Sequence, residues 1–273
     1  MDAEIIRKKL ISEYKSIYEK QKSILPKEFF KDDNNDNIPP TIPWIGKNYS
    51  KYRILIYASA ENLNENVIKE PYFKPEFVYD RHRVRFEKEK IIGIEPFDTD
   101  GLKLAAIIAL QKLKIPIEQN QDVAQCIAVA NLSKFSLKRK SNGENNDIKL
   151  KKHILASQEY LKLDFKSLGP QLVINASNKE FPSHCYADNP SDKKLIEIIQ
   201  YTNTQRGFAK SKTLKKISVT EAENYAPDLS ELIKKYSEQL PIISNKIKHD
   251  RLNLNFVKYF YFFKQKLDEI QKS

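Results

Sequence analysis

Short apolar runs, each followed by a polar cluster, recur along the chain and predict buried strands. Residues 54–57, 126–130 and 172–176 are such runs, and they are rich in β-branched, aromatic or small side chains. A continuous apolar run bounded by polar residues is typical of a strand that is buried on both faces of a sheet. Residues 184–187 predict a fourth, shorter strand.

Longer stretches with apolar residues at three- and four-residue spacing predict helices. The first covers residues 3–24 and ends before Pro26. A second, over 102–113, is apolar nearly all round, so we expect it to lie buried against the sheet. Further helices are predicted over 153–163, 195–199, 229–240 and 252–270, and the last carries an aromatic band of Phe256, Tyr259, Phe260, Tyr261, Phe262 and Phe263.

Helices that alternate with short apolar strands indicate an α/β protein with a parallel sheet. We predict a three-layer α/β/α fold around a short, mostly parallel central sheet of about four strands, with added N-terminal and C-terminal helices. The predicted organisation is an N-terminal helix in 1–30 that packs on the core, an α/β domain in 40–215 and a C-terminal helical extension in 216–273. Trp44, the only tryptophan, precedes the first strand, and we expect it to pack over the core rather than stack on a ligand.

Polar side chains cluster where the predicted strands end. In an open α/β sheet, ligands bind in the loops beyond the carboxyl ends of the strands, so these clusters form the candidate site. Their amides and hydroxyls, with one carboxylate, suit hydrogen bonding to a base edge or positioning of a water better than strong acid–base catalysis. The members are Glu61 and Asn62, Asn131 and Ser133, Ser177 and Asn178, and Asn189 and Ser191.

The net charge changes this picture, because it points to an anionic partner. The 273-residue chain carries a formal charge of +11, and such a basic excess indicates nucleic acid. The alternative is a general enrichment in lysine that accompanies an AT-rich coding sequence. Alternating arginines in 77–86 predict an extended segment that binds phosphate, or else one that pairs with nearby carboxylates. The arginines are Arg81, Arg83 and Arg85, and the carboxylates are Asp80, Glu87 and Glu89.

Several function classes lack their sequence signatures. The chain has no phosphate-binding glycine loop, dinucleotide fingerprint, zinc-protease helix motif or serine-hydrolase elbow. Its two cysteines and four histidines form no metal-ligand pattern, so we expect no metal and no other cofactor. Adjacent His184 and Cys185 would point to opposite faces of a strand, which excludes a Cys–His nucleophile. A charged N-terminus and the lack of a long apolar run predict a soluble, cytoplasmic protein without a membrane partner.

The order of these elements resembles the uracil-DNA glycosylase superfamily. A leading helix, a proline-rich segment, a strand with a polar end, a buried helix and a strand that ends at Asn131 follow one another as in that family. Residues 60–63 (Ala-Glu-Asn-Leu) resemble its first motif in position. Residues 168–174 (Leu-Gly-Pro-Gln-Leu-Val-Ile) resemble its turn into the third strand, and 189–191 (Asn-Pro-Ser) resemble its last motif.

The resemblance implies a DNA glycosylase that flips out uracil or a mismatched or deaminated base and cleaves its N-glycosidic bond by water attack. By similarity, Asn62, aided by Glu61, would position the water, and Asn131 would read the base edge. The last motif would stabilise the leaving base and grip phosphate, and four arginines would hold the DNA backbone. These are Asn189 and Ser191 in the motif, and Arg81, Arg83, Arg85 and Arg206 on the backbone.

Two other functions stay open on the sequence alone. One is a non-catalytic module on the same fold that binds nucleic acid or a protein. In that case the aromatic helix over 252–270 offers a surface for a protein partner or for a dimer. The other is an unrelated α/β enzyme that acts on a nucleotide or another small anion with Glu61 as its base.

Overall fold

The computed structural model describes two compact units, each built from two separate stretches of the chain. One unit comprises Met1–Ile94 and Gln125–Leu195, and the other comprises Glu95–Ala124 and Ile196–Ser273. Residues 95–124 therefore cluster with the C-terminal helices. The described residues are 2–25, 38–63, 78–83, 96–117, 121–138, 147–177, 179–185, 194–197, 212–241, 243–245 and 254–272.

A five-stranded sheet forms the centre of the fold and has the strand order β1-β3-β2-β4-β5. Its central strand β2 runs parallel to both β3 and β4, and β1 pairs with β3 in the antiparallel direction. The predicted α/β class with a mostly parallel sheet is confirmed, with five strands where about four were expected. The strands are β1 (Trp44–Ile45), β2 (Ile54–Leu63), β3 (Ile127–Lys138), β4 (Leu172–Asn175) and β5 (Lys194–Glu197).

The two longest strands continue well beyond their apolar runs. The run of β2 ends at Tyr57, yet its pairing with β3 continues through Leu63. Ala58 lies opposite Asn131, and the register then shifts after Ala60, which indicates a bulge. The predicted polar loops at these positions are therefore wrong. Strand pairing satisfies the backbone there, and buried polar contacts hold the side chains of Glu61, Asn131, Ser133 and Ser136.

The helices follow the apolar periodicity, with local differences. Ser157 separates two helices in the region predicted as one, because its hydroxyl donates to the His153 carbonyl (2.6 Å) and accepts from the Lys134 amide (2.8 Å). The helices are α1 (Ala3–Gln21), α2 (Tyr49–Tyr52), α3 (Pro96–Lys112), α4 (Asp147–Ala156), α5 (Gln158–Leu168), α6 (Lys212–Lys215), α7 (Val219–Lys235) and α8 (Leu254–Lys272).

Two short predictions near residue 190 are wrong. Ser183–Cys185 forms a 3-10 turn rather than the start of a strand, and Lys194–Glu197 forms strand β5 rather than a helix. Cys185 is buried in that turn, and its thiol contacts the carbonyl of Gln158 at 3.6 Å. Burial raises the pKa of this thiol to about 11, so it is protonated and unreactive at neutral pH. His184, in contrast, is exposed.

The N-terminal helix α1 packs on α5 in the first unit. Its first turn is capped by the Asp2 carboxylate, which accepts from the Glu4 amide at 2.8 Å. Trp44 is also buried, as expected. The side chains of α1 that join the sheet residues in the core are Ile6, Leu10, Tyr14 and Tyr18.

A buried ion pair lies at the junction of α1, β2, β3 and α5. Lys134 on β3 pairs with Asp164 on α5, and both side chains are completely buried. The tyrosine hydroxyls of Tyr14 and Tyr57 donate to the same carboxylate at 2.7 and 3.1 Å. The Lys134 ammonium also lies 5.3 Å from the centre of the Tyr57 ring. Four elements thus meet at one carboxylate.

Each ionised member of this group is stabilised only by the others. Burial raises the pKa of Asp164, while the Lys134 ammonium and the two tyrosine hydroxyls oppose that rise. Burial likewise lowers the pKa of Lys134, and Asp164 opposes that change. Removing one charge would leave the other unpaired in a low-dielectric core. This would cost far more stability than replacing the whole pair with apolar residues.

The turn between α5 and β4 depends on one glycine. Gly169 caps α5 in the left-handed region at φ 51°. A Cβ added there would lie 2.8 Å from Nη2 of Arg53, because the Arg53 side chain donates from Nε to the Gly169 carbonyl at 2.7 Å. The Arg53 carbonyl in turn accepts from the Gln171 amide at 2.9 Å. This turn, part of the resemblance noted above, has a structural role at the start of β2.

The described part of the second unit consists of helices joined by turns and irregular segments, with residues 196–197 in strand β5. Its helix α8 packs against α3, α6 and α7. Helix α7 begins at the Ser218 cap and continues through Pro227, so it starts earlier than predicted. No described helix of either unit has the length and apolarity needed to cross a membrane. The aromatic residues of α8 that lie completely buried are Tyr259, Phe260 and Phe263.

We expect the Lys134–Asp164 pair to show strong coupling in a double-mutant cycle. Lys134→Met should lower the free energy of unfolding by about 3–5 kcal/mol, because it leaves the Asp164 carboxylate buried without a counter-charge. Adding Asp164→Leu should recover part of that loss. Urea unfolding of the wild type, both single variants and the double variant measures the coupling. Additive losses would contradict it.

Candidate functional site

Predicted site residues meet at a second buried ion pair, on the far parts of β2 and β3. The Arg81 side chain donates to Oε2 of Glu61 from Nε at 3.0 Å and from Nη2 at 2.8 Å. The Ser136 hydroxyl donates to the same oxygen. Glu61 and Arg81 are 3 % and 0 % exposed. We call Glu61, Arg81 and Ser136 the acid–arginine cluster.

The remaining donors of Arg81 hold the chain around the cluster. Its Nη1 donates to the carbonyl of Pro39 at 2.9 Å and to the carbonyl of Val78. Its Nη2 also lies 3.2 Å from the Ser136 hydroxyl. The guanidinium therefore joins segments 38–42 and 78–83 to the sheet. With these contacts made, it does not present an arginine face to a phosphate.

The Glu61 carboxylate stays ionised although it is buried. Burial alone would raise its pKa, but the Arg81 guanidinium, the nearby His82 and the Ser136 hydroxyl together lower the pKa of Glu61 to about 2. A carboxylate with this pKa, whose Oε2 already accepts from Arg81 and Ser136, is a poor proton acceptor. The geometry argues against Glu61 as a general base.

Asn131 lies beside this cluster and contacts a histidine. Its amide nitrogen is 3.3 Å from Nε2 of His82, and both residues are buried at 2 % exposure. His82 also lies near enough to Glu61 to contribute to lowering the pKa of that carboxyl. The structure therefore brings Asn131, Glu61 and Arg81 into one buried polar region through His82. Ser133, from the same predicted group, donates to the Phe135 carbonyl at 2.9 Å.

The segment that contains Arg81 is helical at residues 81–83, so the predicted extended conformation is wrong there. Contacts to other parts of the first unit determine its position. The Arg7 guanidinium on α1 pairs with Asp80, and the Ile42 amide donates to the Tyr79 carbonyl at 2.8 Å. Arg83 is half-buried at the end of this turn.

Among the other predicted site residues, Ser177 is the one whose side-chain contacts the structure describes. Asn62 lies on β2 opposite Leu137, and its side chain is outside the described set. Ser177 is buried and donates to Oδ1 of Asn175 at 2.6 Å. The members that lie outside the described residues are Asn178, Arg85, Asn189, Ser191 and Arg206.

Sequence reasoning missed Ser136 and His82 as members of this region. His82 stands between two arginines, and the alternation of 81–85 suggested an exposed strand rather than an internal turn. Ser136 follows an apolar run by several residues, and only the continued pairing of β3 brings it to Glu61. No described group of three or more His, Cys, Asp or Glu side chains is arranged to hold a metal ion.

Acid should remove the stabilisation that the acid–arginine cluster supplies. The pKa of Glu61 is lowered from 4.5 to about 2 in the folded protein. The contribution of Glu61 to the free energy of unfolding is therefore complete above pH 4.5 and is lost as the pH falls toward 2. The difference between these two pKa values corresponds to about 3 kcal/mol in the free energy of unfolding.

Urea unfolding between about pH 6 and about pH 2.5 tests this dependence. The variant Glu61→Gln/Arg81→Met should lose less stability over that interval than the wild type. Glu159→Gln, at an exposed carboxylate, is the matched control and should follow the wild type. Equal losses in all three proteins would show that Glu61 does not titrate as described.

A scan against protein-family models and a search of curated proteins found no match to this chain. The resemblance to the uracil-DNA glycosylase superfamily therefore stays a prediction, based on the order of elements and on short motifs. What the structure adds is the mostly parallel sheet, with Glu61, Arg81 and Asn131 in one buried region.

Proposed function

We propose that this protein binds nucleic acid as a non-catalytic module, through a basic surface on the helices of its first unit. Helices α1, α4 and α5 pack against one another or against β3. Their described exposed lysines outnumber their described exposed acids, and this supports the proposal. We call these lysines the basic helical face: Lys8, Lys9, Lys15, Lys20, Lys151, Lys152, Lys162 and Lys166, against Glu4, Glu19 and Glu159.

Three ion pairs of the first unit, two of them fully buried, leave the net charge on the rest of the chain. Glu61 with Arg81, Asp164 with Lys134, and Asp80 with Arg7 each combine one positive and one negative side chain. The net charge of +11 is therefore carried by residues outside these pairs. A basic excess that is not neutralised internally creates a field that attracts polyanions and accelerates their association.

The contacts of Glu61 favour binding over catalysis by that residue. An enzyme that uses Glu61 as its base needs the carboxylate to reach substrate, whereas it is buried and paired with Arg81. A scaffold role accounts for both members of the pair, since together they hold segment 78–83 on the sheet. The small-anion enzyme with a Glu61 base is therefore not proposed.

A DNA glycosylase with Asn62 as its water-positioning residue is the second candidate. Asn62 and Asn131 lie on β2 and β3, which are neighbouring parallel strands. The resemblance assigns these two residues to its first two motifs, although Asn131 lies opposite Ala58, four residues before Asn62. Since an amide is no general base, such an enzyme would depend on electrostatic stabilisation of the departing base.

Binding to a labelled oligonucleotide of about 20 residues should weaken steeply with salt. The logarithm of the association constant should fall linearly with the logarithm of the NaCl concentration, by roughly 0.7–0.9 per phosphate contact. Fluorescence anisotropy measures the slope. Lys8→Gln/Lys15→Gln/Lys166→Gln, on the basic helical face, should make it shallower by up to about 3.

Three exposed lysines of the second unit provide a charge-matched control. Lys212→Gln/Lys215→Gln/Lys216→Gln removes the same charge from residues that are also exposed, and should leave the slope nearly unchanged. Equal losses in the two triple variants would show that no particular face binds. The absence of salt-sensitive binding in the wild type would overturn the proposal.

The second candidate has its own assay. If the protein is a glycosylase, uracil-containing or mismatched duplexes should yield abasic product, and Asn62→Ala should slow the reaction by about 100-fold or more. Asn224→Ala, at an exposed amide on α7, is the control and should keep the wild-type rate. Wild-type protein that leaves uracil, thymine-mismatch and deaminated-purine substrates intact would eliminate this candidate.

A further inference from the structure

The second unit contains a cavity that none of the residues discussed above line. Its volume is about 550 Å³, which lies in the range of roughly 300–1,000 Å³ that small-molecule sites occupy. Lys103 on α3 lines it, together with Asp122 and residues 234–239 at the end of α7. Two helices and the segment after α3 thus contribute to one concave surface.

The wall that carries Asp122 is held in place by a glutamine. The Gln239 side chain donates from Nε2 to the carbonyl of Gln121 at 2.9 Å, and its Oε1 accepts from the amide of Val123 at 2.8 Å. Asp122 lies between those two residues, and its Oδ1 accepts from the Ala124 amide at 2.9 Å. The carboxylate at the cavity is therefore fixed before any ligand binds, which reduces the entropic cost of recognition.

The lysines of the cavity are available to an anion. Within the described parts of the chain, Lys103 and Lys234 form no ion pair, although two carboxylates, Asp122 and Glu238, line the same cavity. By contrast, Lys112 on the same helix as Lys103 pairs with Asp268 on α8. Ammonium groups around a shared space repel one another, and a bound anion would relieve that repulsion.

We propose that this cavity binds a small phosphorylated molecule that also carries hydroxyl groups, a sugar phosphate or a nucleotide. Lysine binds phosphate as a point charge, so Lys103 and Lys234 supply the attraction. A carboxylate such as that of Asp122 accepts hydrogen bonds. It repels a bare phosphate but accepts from the hydroxyl of a sugar. Two lysines beside one fixed carboxylate therefore select a ligand that carries both a phosphate and a hydroxyl group.

This site is independent of the nucleic-acid proposal. Its residues belong to the second unit, whereas the basic helical face and the acid–arginine cluster belong to the first. Oligonucleotide binding and small-molecule binding are measured separately. Failure of either one leaves the result of the other intact.

Isothermal titration of the full chain with ribose 5-phosphate, AMP and inorganic phosphate tests the site. We expect one saturable site per chain for ribose 5-phosphate or AMP, and weaker binding of inorganic phosphate. A higher affinity for AMP than for ribose 5-phosphate identifies a nucleotide, and equal affinities identify a sugar phosphate. Lys103→Ala/Lys234→Ala should lower the affinity by about tenfold or more, since two charge-assisted contacts are lost.

Two further variants separate a built site from general attraction. Lys212→Ala/Lys215→Ala removes two exposed lysines of the same unit that do not line the cavity, and should change the affinity by less than about twofold. Asp122→Asn can keep the bond from the Ala124 amide while losing the negative charge. It should weaken ribose 5-phosphate binding and strengthen inorganic phosphate binding.

Three results would overturn the proposal. They are no saturable binding of ribose 5-phosphate or AMP, equal losses in the two lysine double variants, and a gain in affinity for every ligand in Asp122→Asn. Unchanged far-ultraviolet circular dichroism and thermal midpoints show that each variant is folded, so that a loss of binding reports on the cavity.

Discussion

The first unit depends on the completely buried Asp164 carboxylate, which lies where four elements meet. This residue of α5 forms an ion pair with Lys134 on β3. It also accepts hydrogen bonds from the hydroxyls of Tyr14 on α1 and Tyr57 on β2. Burial raises the pKa of both tyrosines, so both hydroxyls stay protonated and able to donate. Because a buried carboxylate is tolerated only when its partners are all in place, this group specifies how α1 and α5 pack on the sheet.

The acid–arginine cluster joins segments through buried charges at the far parts of β2 and β3, as the Asp164 group does at the centre of the sheet. Both groups use a basic residue and a hydroxyl against one carboxylate. Between them they explain why β2 and β3 continue past their apolar runs. Polar side chains can enter a sheet core when each one finds a partner there. Both functional proposals accordingly concern surface residues, in the basic helical face and the lysine-lined cavity, rather than the buried charges.

The two proposals use the basic residues of the two units in different ways. The first unit presents lysines on the exposed sides of helices whose other sides form the core. The second places lysines around a concave surface with a fixed carboxylate. A basic face on helices suits an extended polyanion, whereas a cavity suits a small one. On these proposals, the same net charge would serve ligands of different size.

Local pattern determined the parts of this protein that depend on near neighbours in sequence. The apolar spacing of α1 and α8, the buried run at Ile54 and the turn at Gly169 were all readable, because each reflects one periodicity or one backbone requirement. The partner of Glu61, by contrast, could not be predicted from the local sequence. Arg81 lies on a segment whose alternation indicated a strand, and only contacts with residues distant in sequence made it a buried turn. The cavity is likewise a product of tertiary structure, because Lys103 and Lys234 are far apart in sequence and only folding brings them to one surface.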